Sequence, residues 1–236
     1  MLISQISTAF KKFLRVTGLM PAATALNNFR CYLVKQYCLM TGRNPLEYIY
    51  SDAFFSIPRH ESVLQDTPAV LAKTVRAFYH PKTVIDFGCG CGIYLREFER
   101  GGAEVFGIDG SPAAQRNLAI DQSKFMLADL TKPVFMPKRY DCALCVEVAE
   151  HIPTDTSQTL VDNVTRGSDL IVFSSAHKGQ GGHDHVNEQD PKFWRDIFAQ
   201  KGFEYLASDT KRFRDALSKA GAIFWLVENI AIFKRR

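Results

Sequence analysis

The chain has 236 residues, 46% hydrophobic and 23% charged, which is globular composition with length for one large core plus an appendage. A formal charge of +4 and a pI near 8.7 are too mildly basic to argue nucleic-acid binding from bulk charge. No apolar run reaches the roughly 18 residues of a membrane-spanning helix. The six cysteines form no pair of zinc knuckles and no secretory signal pattern is evident, so a reduced, cytoplasmic protein is expected.

From the N-terminus, Ile3, Ile6, Phe10, Phe13, Leu14 and Val16 approximate helical spacing with Lys11, Lys12 and Arg15 between them, which predicts a basic amphipathic helix. A second helical stretch, ALNNFRCYLVKQYCLM, follows Pro21. Residues 1–50 therefore read as a helical extension that packs on the main domain or a twin subunit, or meets a membrane surface. Tyr50, Phe54 and Phe55 stand before the main domain as candidates for an aromatic lid, or for core packing.

Residues 51–236 then alternate short apolar strands with helices. TVIDF, AEVFGID, KFMLAD, DCALCVEV and DLIVFSS read as strands; YLREFER, SPAAQRNLAI and PKFWRDIFAQ read as helices, the second capped by Ser111 with Pro112 at its first position. AIFWLVENIAIFKRR reads as two closing strands around a turn near Glu228 and Asn229. The alternation predicts a doubly wound, mostly parallel α/β sheet of seven strands, with ligands at the carboxyl ends of the strands. Cys142 and Cys145 match C-x-x-C, but they lie within an apolar run and read as buried strand residues.

The loop VIDFGCGCG places Gly88, Gly90 and Gly92 between the first strand and a helix, where a sharp turn and close approach of a ligand to backbone call for glycine. Ile93 stands where the dinucleotide pattern needs its third glycine, and no Gly-Lys-Ser/Thr follows for a phosphate loop. Asp86, just before the loop, would repel a pyrophosphate and suits a cationic cofactor with an amino-acid moiety. Asp109 in GIDGS, with Gly110 and Ser111, ends the second strand where a carboxylate can accept two ribose hydroxyls. Asp129 in LADL can meet an adenine amino group while Leu130 covers the ring.

With VIDFGCGCG, GIDGS, LADL and YDCALCVEV in order, the sequence resembles the class I S-adenosylmethionine-dependent methyltransferases. The resemblance implies that Asp86, Gly88, Gly90 and Gly92 hold the methionine end of S-adenosylmethionine, Asp109 the ribose, and Asp129 with Leu130 the adenine. After the fourth strand, CVEVAEHIP sets Glu147, Glu150 and His151 at i, i+3 and i+4, a spacing that one helical turn would gather on one face.

E-x-x-E-H is similar to the pattern of the ubiquinone-pathway O-methyltransferases and the small-RNA 2′-O-methyltransferases, where a further histidine completes a divalent-metal site. That similarity offers His183 as the further ligand, with His185 its rival. GQGG followed by HDHVNEQ, and the terminal FWLVENIAIF, resemble methyltransferases of surface-polysaccharide gene clusters, in which His185 is the loop residue that matters. Three readings stand for the segment: a site for Mg²⁺, Mn²⁺, Fe²⁺ or Zn²⁺, His151 or His185 as metal-free base, or local structure alone. The expected activity is methyl transfer to a hydroxyl of a small polar acceptor, a sugar or glycan precursor. Methylation of RNA or protein, docked through the basic N-terminal arm, is the alternative, and a homodimer is a further expectation.

Overall fold

Seven strands form one sheet in the order β3-β2-β1-β4-β5-β7-β6, comprising β1 Thr83–Phe87, β2 Glu104–Asp109, β3 Phe125–Leu127, β4 Cys142–Cys145, β5 Leu170–Phe173, β6 Phe203–Tyr205 and β7 Ala231–Arg235. A computed structural model describes residues 20–236, so the basic helix expected within 3–16 lies outside the described residues. Strands β1 to β5 pair in parallel; only β7 runs antiparallel, against both β5 and β6.

The period of two along each strand builds two cores, one on each face. Val84, Cys142 and Leu144 enter one cluster with Leu71, Phe98 and Phe213 of the flanking helices Thr67–Tyr79, Ile93–Arg100 and Ala207–Lys219. Ile85, Phe87, Ala143 and Cys145 enter the other with Leu160 and Phe198 of helices Ser157–Gly167 and Pro191–Gln200. Each large apolar side chain so buried contributes about 1.5–3 kcal/mol before conformational entropy is set against it. Cys142 and Cys145, three apart on β4, point to opposite faces and cannot meet as a dithiol; both are buried and unoxidised.

Two readings of the sequence need correction. The segment expected as the first of two closing strands is helical over Phe224–Asn229, because Leu226 and Ile230, four apart, both enter the core. The seventh strand is instead Phe203–Tyr205, at the sheet edge beyond β7. The helix expected over SPAAQRNLAI spans only Pro112–Arg116, since the chain turns back and the Ala119 amide bonds the carbonyl of Cys91 in the glycine loop.

Strand order reverses at β1, with β2 on one side and β4 on the other. The glycine loop leaves β1 and the CVEVAEHIP segment leaves β4, so the topology sets both at the switch point. Helix Met20–Thr41 and the short turns behind it reach the same edge: Asn44 donates to the Gly110 carbonyl and Lys35 pairs with Asp184.

Candidate active site

The loop after β1 is shaped by its acids. Asp109 accepts from the amides of Gly90 and Ser111, each at 2.8 Å, which draws the loop onto the end of β2. Burial raises its carboxyl, while the amides of Ser111, Gly90 and Gly110 pull the other way. Gly88 has φ 82 and lies so close to Val148 that a Cβ would overlap the valine methyls, which ties the glycine loop to the segment after β4. The Phe55 ring lies 3.1 Å from where a Cβ on Gly90 would stand.

Asp86 is 2% exposed and makes no side-chain hydrogen bond to another described residue. Burial, then the nearby charge of Asp109, push its carboxyl up to about 7. An acid so placed is stabilised by a cation brought beside it. Asp129 turns to the amide and hydroxyl of Thr131 at 3.0 and 2.6 Å; these bonds and Lys132 outweigh burial and hold its carboxyl low. The Leu130 side chain packs in the core beside Val134.

Strand β4 ends in an irregular turn. Glu147 has φ 55, a left-handed conformation unusual outside glycine. Its amide donates to the Ser174 hydroxyl at 2.8 Å; that hydroxyl and the Asn229 amide group donate back to its carboxylate at 2.8 and 3.1 Å. One short 3₁₀ turn, Ala149–His151, follows. The single helical face expected to gather Glu147, Glu150 and His151 therefore does not form, and Glu147 turns toward β5 and Asn229.

Glu150 is fully buried, and neither of its carboxylate oxygens has a hydrogen-bond partner among the described residues. Burial, then the charge of Glu147, push it well above the usual carboxylate range against the pull of nearby amides. An orphaned buried carboxylate is costly unless it is protonated or meets a cation. Its backbone does separate work, since its carbonyl accepts from the amides of Val186 at 2.9 Å and Asn187 at 3.0 Å. Asn187 also bonds the Ala149 carbonyl and the Ser157 hydroxyl, so the HVNEQ segment is laced to the 3₁₀ turn.

That lacing brings His185 to His151, ring centroids 5.0 Å apart. One ligating atom each from Glu150, His151 and His185 lies within 4.8 Å of the others. Both rings are oriented from behind. His151 Nδ1 lies 3.2 Å from the Asp184 carbonyl, which can only accept, so Nδ1 carries the proton and Nε2 the lone pair. The Tyr50 hydroxyl stands 3.1 Å from the same nitrogen. His185 Nδ1 bonds Glu188 at 2.8 Å, and the Glu188 carboxylate also receives the amides of Gly179 and Gly181. Burial and then His185 push His151 down to about 3, so it is neutral at physiological pH.

His183 is placed apart from this trio. Asp184, with φ 58, turns the chain between the two histidines, and His183 reaches the Ile49 carbonyl at 3.3 Å among the rings of Tyr50 and Phe54. Sequence reasoning missed Asp184 and Lys35. The buried Asp184 is held by Lys35 at 3.0 Å and by Tyr50 at 3.4 Å, a link across more than a hundred residues with no local signal. Tyr50, read as a lid candidate, is also the hydrogen-bond partner of His151.

Residues 60–164 match the family model described as a methyltransferase domain. The ubiquinone biosynthesis O-methyltransferase of Serratia proteamaculans (strain 568) is 31% identical over 135 residues, covering 53% of this chain and 50% of that protein. Its counterpart in Sodalis glossinidius (strain morsitans) is 37% identical over 134 residues, covering 53% and 48%. Over its central part the chain is thus similar to methyltransferases. It spans about half the length of the curated relatives it matches. Among solved structures, the magnesium protoporphyrin IX methyltransferase of Synechocystis PCC 6803 superposes with a TM-score of 0.54 at 20% identity, over 87% of this chain and 97% of that chain; the likeness is one of fold.

S-Adenosylmethionine fits the residues present. Asp86 is a buried acid without a partner beside the loop, Gly88 leaves a cradle that a side chain would fill, and Asp109 uses only two of its roughly four acceptor positions on backbone amides. A cation at the trio fits as well, because a carboxylate and two imidazoles make a mixed oxygen and nitrogen donor set around the orphaned oxygens of Glu150.

Proposed function

We propose that this protein moves a methyl group from S-adenosylmethionine to a hydroxyl of a small polar acceptor, a sugar or glycan precursor, with a divalent cation held by Glu150, His151 and His185. The observation that carries the reading is Glu150, a fully buried carboxylate with both oxygens unpartnered, facing two imidazoles whose Nδ1 atoms are engaged from behind. The ubiquinone relatives are O-methyltransferases by name, which supports oxygen as the methylated atom.

The cofactor, when bound, supplies an electrophilic methyl on a sulfonium; Asp86 holds its cationic amino-acid end, the backbone at Gly88 admits close approach, and Asp109 receives the ribose. A bound divalent cation lowers the pKa of a coordinated hydroxyl and orients it. The chain supplies the orientation of the ligands: Tyr50 and the Asp184 carbonyl fix His151, Glu188 fixes His185, and the Glu150 carbonyl clamps the HVNEQ segment. A neutral His151 with a pKa near 3 suits a ligand better than a proton acceptor, which weighs against the metal-free reading for that residue.

An exposed apolar stripe on helix Met20–Thr41, formed by Leu26, Phe29, Leu33, Tyr37 and Met40, supports contact with a membrane surface or a second copy. Among the described residues no helix is long and apolar enough to cross a membrane.

The test is transfer of labelled methyl from S-adenosylmethionine to a panel of nucleotide sugars, free sugars and catechols, with and without a chelator. The expected product is a methyl ether whose formation stops in chelator and returns with Mg²⁺, Mn²⁺, Fe²⁺ or Zn²⁺. Methyl transfer to nitrogen or to a carboxylate, or a full rate in chelator, contradicts the proposal.

A further inference from the structure

Beside Asn229, whose amide group donates to Glu147, a cleft lies at the carboxyl end of β5 and the start of β7. Three buried polar atoms on its lining residues have no hydrogen-bond partner among the described residues: Ser175 Oγ, Trp194 Nε1 and Asn229 Oδ1, on residues 4%, 3% and 5% exposed. Native proteins leave few such atoms, and three on one cleft point to a ligand that satisfies them. The orientation of Asn229 follows from chemistry: its amide group donates to Glu147, which leaves its carbonyl oxygen to the cleft.

Cations share the lining. Arg195 and Arg214 make no ion pair with another described residue, and His177 stands with them. Arg195 is held over the Tyr205 ring at 4.2 Å, and the Arg214 Nε donates to the Ile230 carbonyl at 2.8 Å, so both guanidinium groups are pre-positioned with donors to spare. Burial and then Arg214 lower the His177 pKa, as close packing of like charges requires; Asp190 and Glu228 oppose this. Asp190 is occupied in capping the helix Pro191–Gln200, whose first turn faces the cleft.

We infer that this cleft is the anion-binding half of the acceptor site, in which Arg195, Arg214, Trp194 Nε1 and Ser175 Oγ take an oxyanion, a phosphate or a carboxylate, while Asn229 Oδ1 accepts from a neighbouring hydroxyl. The inference rests on the proposed methyl transfer to a polar acceptor and narrows it to acceptors with a negative group. A planar guanidinium matches both oxyanions. Glu147, bonded to Asn229 on one side and acting electrostatically on Glu150 on the other, joins the cleft to the metal-ligand trio.

The protein has two tryptophans, so Trp225→Phe leaves Trp194 as the sole indole reporter at the cleft. In that background the full chain is titrated at constant ionic strength with UDP and inorganic phosphate in one arm and D-glucuronate in the other, with uridine and methyl glucoside as uncharged controls. The expected result is a saturable change in Trp194 emission with an anion of at least one arm, and affinity at least tenfold weaker in Arg195→Gln and in Arg214→Gln. Arg195 is exposed, so its variant keeps the test open if Arg214→Gln fails to fold. S-Adenosylmethionine binding is measured by calorimetry on the same proteins. Cofactor binding without any saturable anion response, or anion affinity unchanged in both arginine variants, overturns the cleft alone; anion binding without cofactor binding overturns the methyltransferase reading and leaves the cleft standing.

Discussion

Asp109 ends β2 and Glu150 follows β4, the two neighbours of β1, yet their surroundings differ in kind. Asp109 is met by two backbone amides, so its charge is spent on shaping the glycine loop before any ligand arrives. Glu150 is buried more deeply and met by none. The proposed cofactor side is thus pre-satisfied at Asp109 and left unmet at Asp86, whereas on the proposed acceptor side the unmet carboxylate, Glu150, faces two imidazoles. Strain follows the same division, since Glu147 and Asp184, two of the four non-glycine residues at positive φ among the described residues, flank Glu150 and His185.

The sharpest way to probe the cofactor side is through Asp86, its one acid without a partner. A carboxyl raised in the folded state adds stability that is fully present below its unfolded pKa and is lost as pH rises through the folded value. For Asp86 that window runs from 3.8 to about 7. Denaturant unfolding of the cofactor-free protein is expected to show stability falling by about 3 kcal/mol between pH 5 and pH 8 from this group, and Asp86→Asn to remove that share. A variant with an unchanged pH slope would show that Asp86 is not the unmet charge of this half.

Steric demand comes next. Gly88→Ala is expected to cost about 2 kcal/mol, combining a left-handed backbone with overlap on Val148, and to weaken cofactor binding in calorimetry. Gly179 has φ 86 with open space around it, so Gly179→Ala is expected to cost about 1 kcal/mol from backbone strain alone. Equal losses in thermal or denaturant unfolding would remove Val148 from the argument.

On the acceptor side, Glu188→Gln is expected to weaken divalent-metal affinity by about tenfold while leaving cofactor affinity unchanged, because the carboxylate orients His185 from behind. Parallel titrations of metal and cofactor read the two effects separately. Lys35→Met is expected to cost about 1–3 kcal/mol of stability, since it takes the cation from the buried Asp184 carboxylate and leaves it the Tyr50 hydroxyl at 3.4 Å. A cost several times larger would make the Lys35 link a principal fastening of the N-terminal helix over the site.

Much of this was legible in the chain and some was not. TVIDF and CALC read as buried strands because apolar runs of that length with flanking turns have few alternatives, and the glycine loop with its acids located the switch point. FWLVENIAIF misled because a continuous apolar run fits strand and helix alike, and only the core contacts of Leu226 and Ile230 decide it. Glu150, His151 and His185 were each visible as residues. Their grouping without Glu147 was not, because a left-handed turn at a glutamate leaves no mark in sequence. Lys35 and Asp184 are joined only by the fold.

The most direct test of the central claim is to count metal. Protein stripped by chelator and titrated with Mn²⁺, Zn²⁺, Mg²⁺ or Fe²⁺ is expected to take up about one ion per chain, with uptake lost in Glu150→Ala and retained in Glu147→Ala and His183→Ala. Uptake unchanged in Glu150→Ala, or no uptake of any of these ions by the folded parent, would contradict the cation site and leave Glu150 as a carboxyl kept neutral by its burial.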